Sequence, residues 1–352
     1  MNLESLIRAG RKFQASDIHV VVGLPPLLRI DGEIVTAKSE AITAEMSKAL
    51  AEEYLNPAQL ERLQRDLMLC YSHCWDGDNK ERVRISIYYR NSVPELSIRL
   101  CEPHIRTREE LRLPPVVDEL ARKPSGLVVI TGPTGVGKTT TLHYMIDLIN
   151  SERRSKIITI EDPIEYVHSF KRSIVIQQEV LSDVRDFRSA LVHVLRQDPD
   201  VIAVGEMRDQ ETVHTALTAA ETGHLVIATL HTPSTVELLE RLISTFPEGQ
   251  QSEIRFMLAN TLHGVIAQQL LPRATGKGRV LCYEVLIGTP GVRHKIRQND
   301  MHMIYSEIQS GQKYQMRTMD HCLLELYQQG EITYDVAMNM ARHTESIKER
   351  SA

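Results

Sequence analysis

Short apolar runs alternate with amphipathic segments through the middle of the chain. The apolar runs cover residues 127–131, 157–160, 201–204 and 225–230. Short runs that are apolar throughout are typical of strands buried on both faces. Between the last two runs, Val213, Ala216, Leu217 and Ala220 recur at helical spacing. The pattern therefore predicts an α/β domain whose parallel sheet is covered by helices.

The chain before this region follows a different pattern. Strand-like runs occupy residues 16–22 and 27–30, and residues 82–89 alternate strictly. The alternation places Arg84 on one face of a strand and Val83 and Ile85 on the other. We therefore predict a smaller α+β domain at the N-terminal side.

The predicted boundary is a charged stretch bracketed by prolines, residues 102–115. We predict an N-terminal α+β domain at 1–102, a linker at 103–113, an α/β core at 114–285 and a helical segment at 286–352. The last of these is expected because the end of the chain has a mainly helical pattern.

Composition narrows the classes of function. The chain has 352 residues, of which 42% are hydrophobic and 25% charged, with a net charge of -5. This charge gives no basic field, so we expect no direct binding of nucleic acid. No apolar run reaches the roughly 18 residues of a membrane span, and no leader pattern is visible. The five scattered cysteines do not resemble a disulfide framework and favour a reducing cytoplasm.

The strongest chemical signal is a phosphate-binding loop. Gly132-Pro-Thr-Gly-Val-Gly-Lys-Thr139 follows an apolar run and precedes the helical pattern at 140–149. Backbone N–H groups of such a loop converge on phosphate oxygens at a helix N-terminus. Lys138 is expected to neutralise the β- and γ-phosphates of ATP, and Thr139 to bind Mg²⁺. The predicted nucleotide-binding residues are Gly132, Pro133, Thr134, Gly135, Val136, Gly137, Lys138, Thr139 and Thr140.

Acidic and histidine side chains follow the other predicted strands. Glu206 ends the motif Asp198-Pro-Asp-Val-Ile-Ala-Val-Gly-Glu206 and is expected to hold the metal or polarise water. Glu165, in Ile160-Glu-Asp-Pro-Ile-Glu165, is the preferred general base among three carboxylates. His231 directly follows the apolar run at 225–230, and at that position it could sense the γ-phosphate. Each residue also has a purely structural alternative. Glu206 could be a solvated loop carboxylate, Glu165 could belong to an ordinary acidic turn, and His231 could be a packed core histidine.

Taken together, these motifs resemble those of the secretion and pilus ATPases and, within them, the PilT-like retraction motors of type IV pili. The resemblance runs from Ser16-Asp-Ile-His19 to Gly330-Glu-Ile-Thr-Tyr334. It rests on the P-loop, the Asp box ending at Glu165, the motif Val204-Gly-Glu-Met-Arg-Asp209 and the His box ending at Thr232. It implies a RecA-like ATPase domain with a smaller PAS-like N-terminal domain.

Site roles follow from the resemblance residue by residue. Glu206 matches the Walker B glutamate, Glu165 the Asp-box base and His231 the second histidine of the His box. Arg84 and Arg99 resemble arginines that reach phosphate, one of them across a subunit interface. The family further implies a homohexamer that binds ATP and Mg²⁺ between domains and subunits.

The implied function is retraction of type IV pili and twitching motility. The partner would be an inner-membrane platform protein, with the ATPase in the cytoplasm, peripheral to the cytoplasmic face of the membrane. The short N-terminal domain and the lack of a four-cysteine zinc module favour retraction over extension. However, only Ile296-Arg297 of the stretch at 295–300 matches a segment needed for retraction. Alternatives are an accessory or extension-type ATPase, a P-loop kinase and an inactive scaffold.

Overall fold

The computed structural model describes residues 1–30, 32–74, 82–102, 104–207 and 209–348. The chain divides into two compact units: an N-terminal unit, Met1–His104 with Pro163–Val167, and a C-terminal unit, Ile105–Asp162 with His168–Ala352. Parts of the sequence predictions lie outside the described residues: Asp31 and residues 75–81 of the N-terminal domain, Pro103 of the linker, Arg208 of the Glu206 motif, and residues 349–352 of the C-terminal segment.

The N-terminal unit contains a six-stranded antiparallel sheet with three helices. The sheet order is β3-β2-β1-β6-β5-β4. The strands are β1 (Asp17–Val20), β2 (Leu27–Ile30), β3 (Glu33–Thr36), β4 (Met68–Cys74), β5 (Arg82–Arg90) and β6 (Val93–Leu100). The helices are α1 (Leu3–Lys12), α2 (Ala44–Glu52) and α3 (Pro57–Asp66). Each helix begins after a residue whose side chain accepts a backbone N–H: Asn2, Thr43 and Asn56.

The strict alternation in β5 gives this sheet one buried and one polar face. Val83, Ile85 and Ile87 are buried in the core of the unit. Arg84 points to the other face, where it lies opposite Arg99 of β6. The same register places Arg99 opposite Asp17 of β1. The sheet therefore brings the two predicted phosphate-reaching arginines to adjacent positions on its polar face.

The C-terminal unit is built on a seven-stranded sheet in the order β13-β12-β7-β11-β10-β8-β9. The strands are β7 (Gly126–Thr131), β8 (Lys156–Glu161), β9 (Ile174–Glu179), β10 (Val201–Val204), β11 (Leu225–Thr229), β12 (Leu262–Pro272) and β13 (Arg279–Ile287). All neighbours are parallel except β12 and β13. The predicted parallel α/β sheet is therefore confirmed.

Helices cover both faces of this sheet. Those before β12 are α4 (Arg108–Leu111), α5 (Val116–Ala121), α6 (Lys138–Glu152), α7 (Phe187–Val194), α8 (Gln210–Glu221), α9 (Thr235–Ser244) and α10 (Glu248–Thr261). Those after β13 are α11 (Pro290–Gln298), α12 (Ile304–Ser310), α13 (Met319–Gln328), α14 (Tyr334–Met340) and α15 (Glu345–Lys348). One hydrophobic cluster lies on each face, because the strands alternate between clusters: Leu127 and Val129 face one, Val128 and Ile130 the other. Among the described residues, no helix is both long and apolar enough to cross a bilayer.

A buried carboxylate connects the C-terminal helices to the sheet. Glu284 of β13 is 3% exposed. Its Oε1 accepts hydrogen bonds from the backbone N–H and the hydroxyl of Thr235, the first residue of α9, at 3.0 and 2.6 Å. Its Oε2 accepts from the N–H of Met319, the first residue of α13, at 3.3 Å. One side chain thus satisfies unpaired donors at the start of two helices, where a negative charge is favourable.

A single arginine satisfies the C-terminal end of α10. Arg293 of α11 donates to the carbonyls of Gly288 and Leu262 at 2.7 and 3.0 Å. It also donates to the carbonyl of Ala259 at 3.0 Å and to that of Asn260. The last carbonyls of a helix have no partner within the helix, so this guanidinium supplies the missing donors.

We predict that Arg293→Ala lowers the unfolding free energy of the C-terminal unit by about 2 kcal/mol, because it leaves partly buried carbonyls without donors. Chemical denaturation, monitored by far-UV circular dichroism, would measure the loss of unfolding free energy. Arg297→Ala is the matched control, since Arg297 lies one turn further along α11 and, among the described residues, its guanidinium donates only to the Asn260 side chain, at 3.4 Å. Equal losses in the two variants would contradict the capping role.

Candidate nucleotide-binding and hydrolysis site

The predicted phosphate-binding loop lies between β7 and α6, as the sequence pattern requires. Gly132 has a φ of +142°, and a Cβ there would lie 2.3 Å from the carbonyl oxygen of Gln268 in β12. Gly137 has a φ of +91° and precedes α6 without supplying any side-chain cap. The first N–H groups of α6 therefore point out of the helix and can bind an anion. The exposed part of the loop consists of Pro133, Thr134 and Gly135.

Lys138 is the most buried polar side chain of the loop, at 7% exposure. Its ammonium donates to the carbonyls of Gly132 and Pro133 at 2.8 and 2.9 Å. A third contact joins Lys138 Nζ to His231 Nδ1 at 3.1 Å. Burial lowers the pKa of Lys138, and the negative charge of Glu206 opposes this shift. The carbonyls of the loop therefore hold the Lys138 ammonium in place at the start of α6.

His231 connects Lys138 to Glu206. Its Nε2 lies 3.2 Å from Glu206 Oε1. A lysine ammonium can only donate, so Nδ1 of His231 must accept from it. The proton of a neutral imidazole then lies on Nε2, the ring nitrogen that faces the carboxylate. The three side chains therefore form one line of polar contacts from Lys138 through His231 to Glu206.

Three neighbouring strands supply this chain of side chains. Lys138 follows β7, His231 follows β11 and Glu206 follows β10, and β7, β11 and β10 are adjacent in the sheet. The Thr131 side chain connects two of these loops: its hydroxyl donates to the Thr232 carbonyl at 2.7 Å and accepts from the Thr232 N–H at 3.0 Å. Parallel sheets bind ligands at the carboxyl ends of their strands, and the site lies at that edge.

His224, the first histidine of the His box, lies at the opposite end of β11. Its Nδ1 is 2.9 Å from the carbonyl of Ala219, near the end of α8. The ring therefore belongs to the turn between α8 and β11. Of the two histidines in the motif, only His231 reaches the carboxyl edge.

Glu165, Arg84 and Arg99 lie together in the N-terminal unit. Arg84 Nη1 is 3.8 Å from Glu165 Oε1, and Arg99 Nε donates to Asp17 at 3.0 Å. Burial opposes the charge of Arg99, but its hydrogen bond with Asp17 and the charges of Asp17 and Glu165 raise its pKa overall. The chain enters this unit after Asp162 and leaves it before His168, so Glu165 is four residues beyond the last residue of β8.

Two further side chains contact these loops, and the sequence pattern does not mark either of them as part of a site. Arg279, the first residue of β13, donates to the Gly135 carbonyl of the P-loop at 3.3 Å. His143 of α6 is buried and contacts Glu161 and His168. Both contacts join residues far apart in the chain. Neither carries a local pattern that would have marked it.

The residues present fit Mg²⁺ bound together with ATP. Thr139, the second residue of α6, and Glu206, with an 18% exposed side chain, offer a hydroxyl and a carboxylate oxygen. Magnesium usually takes one or two protein oxygens and completes its shell with phosphate and water. In the described part of the chain, no group of three or more His, Cys, Asp or Glu side chains could hold a metal on its own.

Comparison with known proteins decides the family. A model of the family described as "Type II/IV secretion system protein" matches residues 106–352. The chain belongs to this family. It is 39% identical to the type IV pilus retraction ATPase PilT of Pseudomonas aeruginosa, over 99% of this chain and 100% of the relative. It is also 35% identical to the type IV pilus ATPase PilU of the same organism, over 99% of this chain and 91% of the relative.

Solved structures agree with this result. A crystal structure of the pilus retraction motor PilT with bound ADP matches with a TM-score of 0.91 and 40% identity, covering 99% of each chain. The ATPase DotB of Legionella pneumophila matches with a TM-score of 0.81 at 24% identity, which shows the fold alone. The family, the fold class and the ATPase class predicted from the sequence are confirmed.

We predict that Gly132→Ala weakens nucleotide binding by at least about tenfold, because the added Cβ collides with a backbone oxygen and the loop must shift. Titration with a fluorescent ADP analogue would measure the change. Gly249→Ala is the control, since a Cβ at Gly249 in α10 meets nothing within 4 Å. Unchanged affinity in Gly132→Ala would show that the close approach of the loop to Gln268 does not shape the nucleotide site.

Proposed function

We propose that this chain is the ATP-hydrolysing motor that retracts type IV pili, and that it acts as a homohexamer. The observation that carries the proposal is the line of polar contacts from Lys138 through His231 to Glu206 beside the P-loop. The full-length similarity to PilT supports pilus retraction as the work that hydrolysis drives.

The loop residues bind the phosphates of ATP. The N–H groups at the start of α6 and the Lys138 ammonium approach the β- and γ-phosphates, where their positive charge favours the anion. Lys138 is already desolvated and oriented by loop carbonyls, so little rearrangement opposes its binding to phosphate. His231 lies beside Lys138 and reports the state of the γ-phosphate to Glu206.

Mg²⁺ is the proposed cofactor, held by Thr139 and Glu206. When bound, it would neutralise charge on the phosphates during hydrolysis. His231 Nε2 lies 3.2 Å from Glu206 Oε1. This contact limits the rotation of the carboxylate and leaves its second oxygen for the metal or for water.

Glu165 is the proposed general base, and Arg84 and Arg99 are the proposed arginines that contact phosphate. Arg84 Nη1 lies 3.8 Å from Glu165 Oε1. A carboxylate is the form of this side chain that accepts a proton from water. Arginines supplied by a second subunit stabilise the charge that develops on the transferred phosphoryl group. In a hexamer, this arrangement makes hydrolysis dependent on assembly.

The proposed partner is a platform protein of the inner membrane, and the proposed location is the cytoplasm, peripheral to that membrane. The chain offers no basic field for nucleic acid, with a net charge of -5. The proposal therefore assigns the mechanical output to a protein partner.

We predict that Lys138→Ala abolishes ATP turnover, whereas Glu206→Gln and Glu165→Gln each lower kcat by about 10²- to 10⁴-fold and still bind ATP. The physical reason is that the lysine belongs to the phosphate cradle, and the carboxylates act on metal and water. Phosphate release without an added acceptor, combined with nucleotide titration, separates the two effects. This assay also excludes a kinase, which would need an acceptor.

Glu240→Gln serves as the control, because Glu240 is an exposed carboxylate on the outer face of α9. Wild-type turnover in Lys138→Ala would refute the P-loop assignment. If only one of the two glutamate variants lost activity, the proposed division between metal binding and proton abstraction would be wrong.

We predict that cells lacking this protein keep or accumulate surface pili and lose twitching motility. Pili counted by electron microscopy, with motility measured on the same strains, would test this. Complementation with wild type should restore both phenotypes, and Lys138→Ala should restore neither. Bald cells would indicate an extension motor. Unchanged motility would indicate an accessory ATPase, a role that the similarity to PilU makes the main alternative.

A further inference from the structure

A buried cluster of ionisable side chains lies behind the phosphate edge of the C-terminal unit. His143, in the second turn of α6, has a side chain that is 1% exposed, and Glu161, the last residue of β8, is 4% exposed. His143 Nε2 lies 3.2 Å from Glu161 Oε2. On its other side, His143 Nδ1 lies 2.9 Å from His168 Nε2. One imidazole on the P-loop helix therefore contacts both partners at once.

These partners are the two ends of the segment that carries Glu165. The chain leaves β8 at Glu161, passes through Glu165 and returns to the C-terminal unit at His168. Glu161 is further fixed by the Thr159 hydroxyl at 2.6 Å and by Gln177 Nε2 at 3.0 Å. The other end of the Gln177 amide accepts the His168 N–H at 2.9 Å. The same network thus binds the backbone and the side chain of the returning residue.

Electrostatics favours an ionised carboxylate at Glu161 and a neutral imidazole at His168. Burial opposes the ionisation of Glu161, but the charge and hydrogen bonds of His143, Thr159 and Gln177 outweigh it and lower the pKa of this carboxyl. Burial, together with the charge of His143, lowers the pKa of His168 to about 3. His168 is therefore neutral at physiological pH, and the carboxylate of Glu161 lies 3.2 Å from the His143 ring.

We propose that His143 is a positioning residue for ATP hydrolysis, because its two ring nitrogens fasten both ends of the Glu165 segment to the helix that begins at the phosphates. The inference rests on the proposed function, in which Glu165 receives the proton of the attacking water. His143 does not touch the nucleotide in this scheme. It fixes the two points from which the base-bearing segment extends, and so limits the positions that Glu165 can take.

The test uses the full-length protein with His143→Phe, which keeps a ring of similar shape and removes both nitrogens. We expect kcat to fall by roughly 10- to 100-fold, as for a misplacement of a reacting group by about 1 Å. The KM for ATP and the affinity for ADP should change less than about threefold, since the phosphate loop is untouched. A parallel loss of kcat and nucleotide affinity would overturn the proposal.

A double variant separates positioning from stability. His143→Phe leaves Oε2 of the buried Glu161 carboxylate without the imidazole that faces it, which destabilises the fold. Adding Glu161→Gln removes the charge, so the double variant should regain most of the lost Tm. Its kcat should stay low, because the clamp is still missing. Recovery of kcat together with Tm would show that His143 acts only through stability.

Asn150→Ala is the matched control on the same helix. Asn150 is also fully buried, and its amide contacts the Ser169 carbonyl at 2.8 Å and the Lys171 N–H at 3.2 Å, just beyond the segment. We expect Asn150→Ala to lower Tm but to keep kcat within about threefold of wild type. An equal loss of kcat in this variant would contradict a specific role for His143.

Hydrogen exchange gives a readout that does not depend on turnover. In His143→Phe, amides of residues 162–168 should exchange faster than in wild type, and those of the P-loop should not change. In Asn150→Ala, faster exchange should be confined to residues 169–172. Unchanged exchange at 162–168 in His143→Phe would overturn the clamp. If the clamp is seen and wild type does not hydrolyse ATP, the proposed function fails and the positioning of the segment stands.

Discussion

The Lys138 ammonium is buried at the junction between β7 and α6, and a buried charge needs hydrogen-bond acceptors around it. Two loop carbonyls provide part of this shell, and the imidazole of His231 provides another contact. Because the lysine can only donate, the histidine must present a free nitrogen to it and its proton to Glu206. The need to solvate one buried charge therefore orders side chains from three neighbouring strands.

The parallel strands at the centre of the sheet bring these side chains together. Parallel strands send successive loops to one edge, so residues that are distant in sequence meet there without any local signal connecting them. Lys138, Glu206 and His231 could be predicted because each follows a short apolar run. Their mutual contacts could not be predicted with the same detail, because strand order and side-chain tautomers are set by packing across the whole unit.

Other features were invisible in the sequence for identifiable reasons. The edge strand β9, Ile174–Glu179, is half polar and only partly buried, so it lacks the apolar run that marks β7 or β10. The antiparallel pair β12 and β13 contains polar residues such as Gln268 and Glu284, which are buried because long-range partners satisfy them. His143 lies within an ordinary helical pattern, so the sequence does not mark it. Its contacts with Glu161 on β8 and with His168 after the Asp box appear only in the folded structure.

The carboxylate of Glu284 has a consequence for how the C-terminal unit opens. Its two oxygens cap α9, which starts just after His231 and Thr232, and α13 near the end of the chain. Neither helix can unwind its first turn without stripping a buried charge of donors. Fluctuations that fray these helices should therefore be cooperative and rare, and exchange at their first turns should report one shared sub-global opening. Helix α13 is in this sense part of the same cooperative unit as α9, the helix that follows the His box.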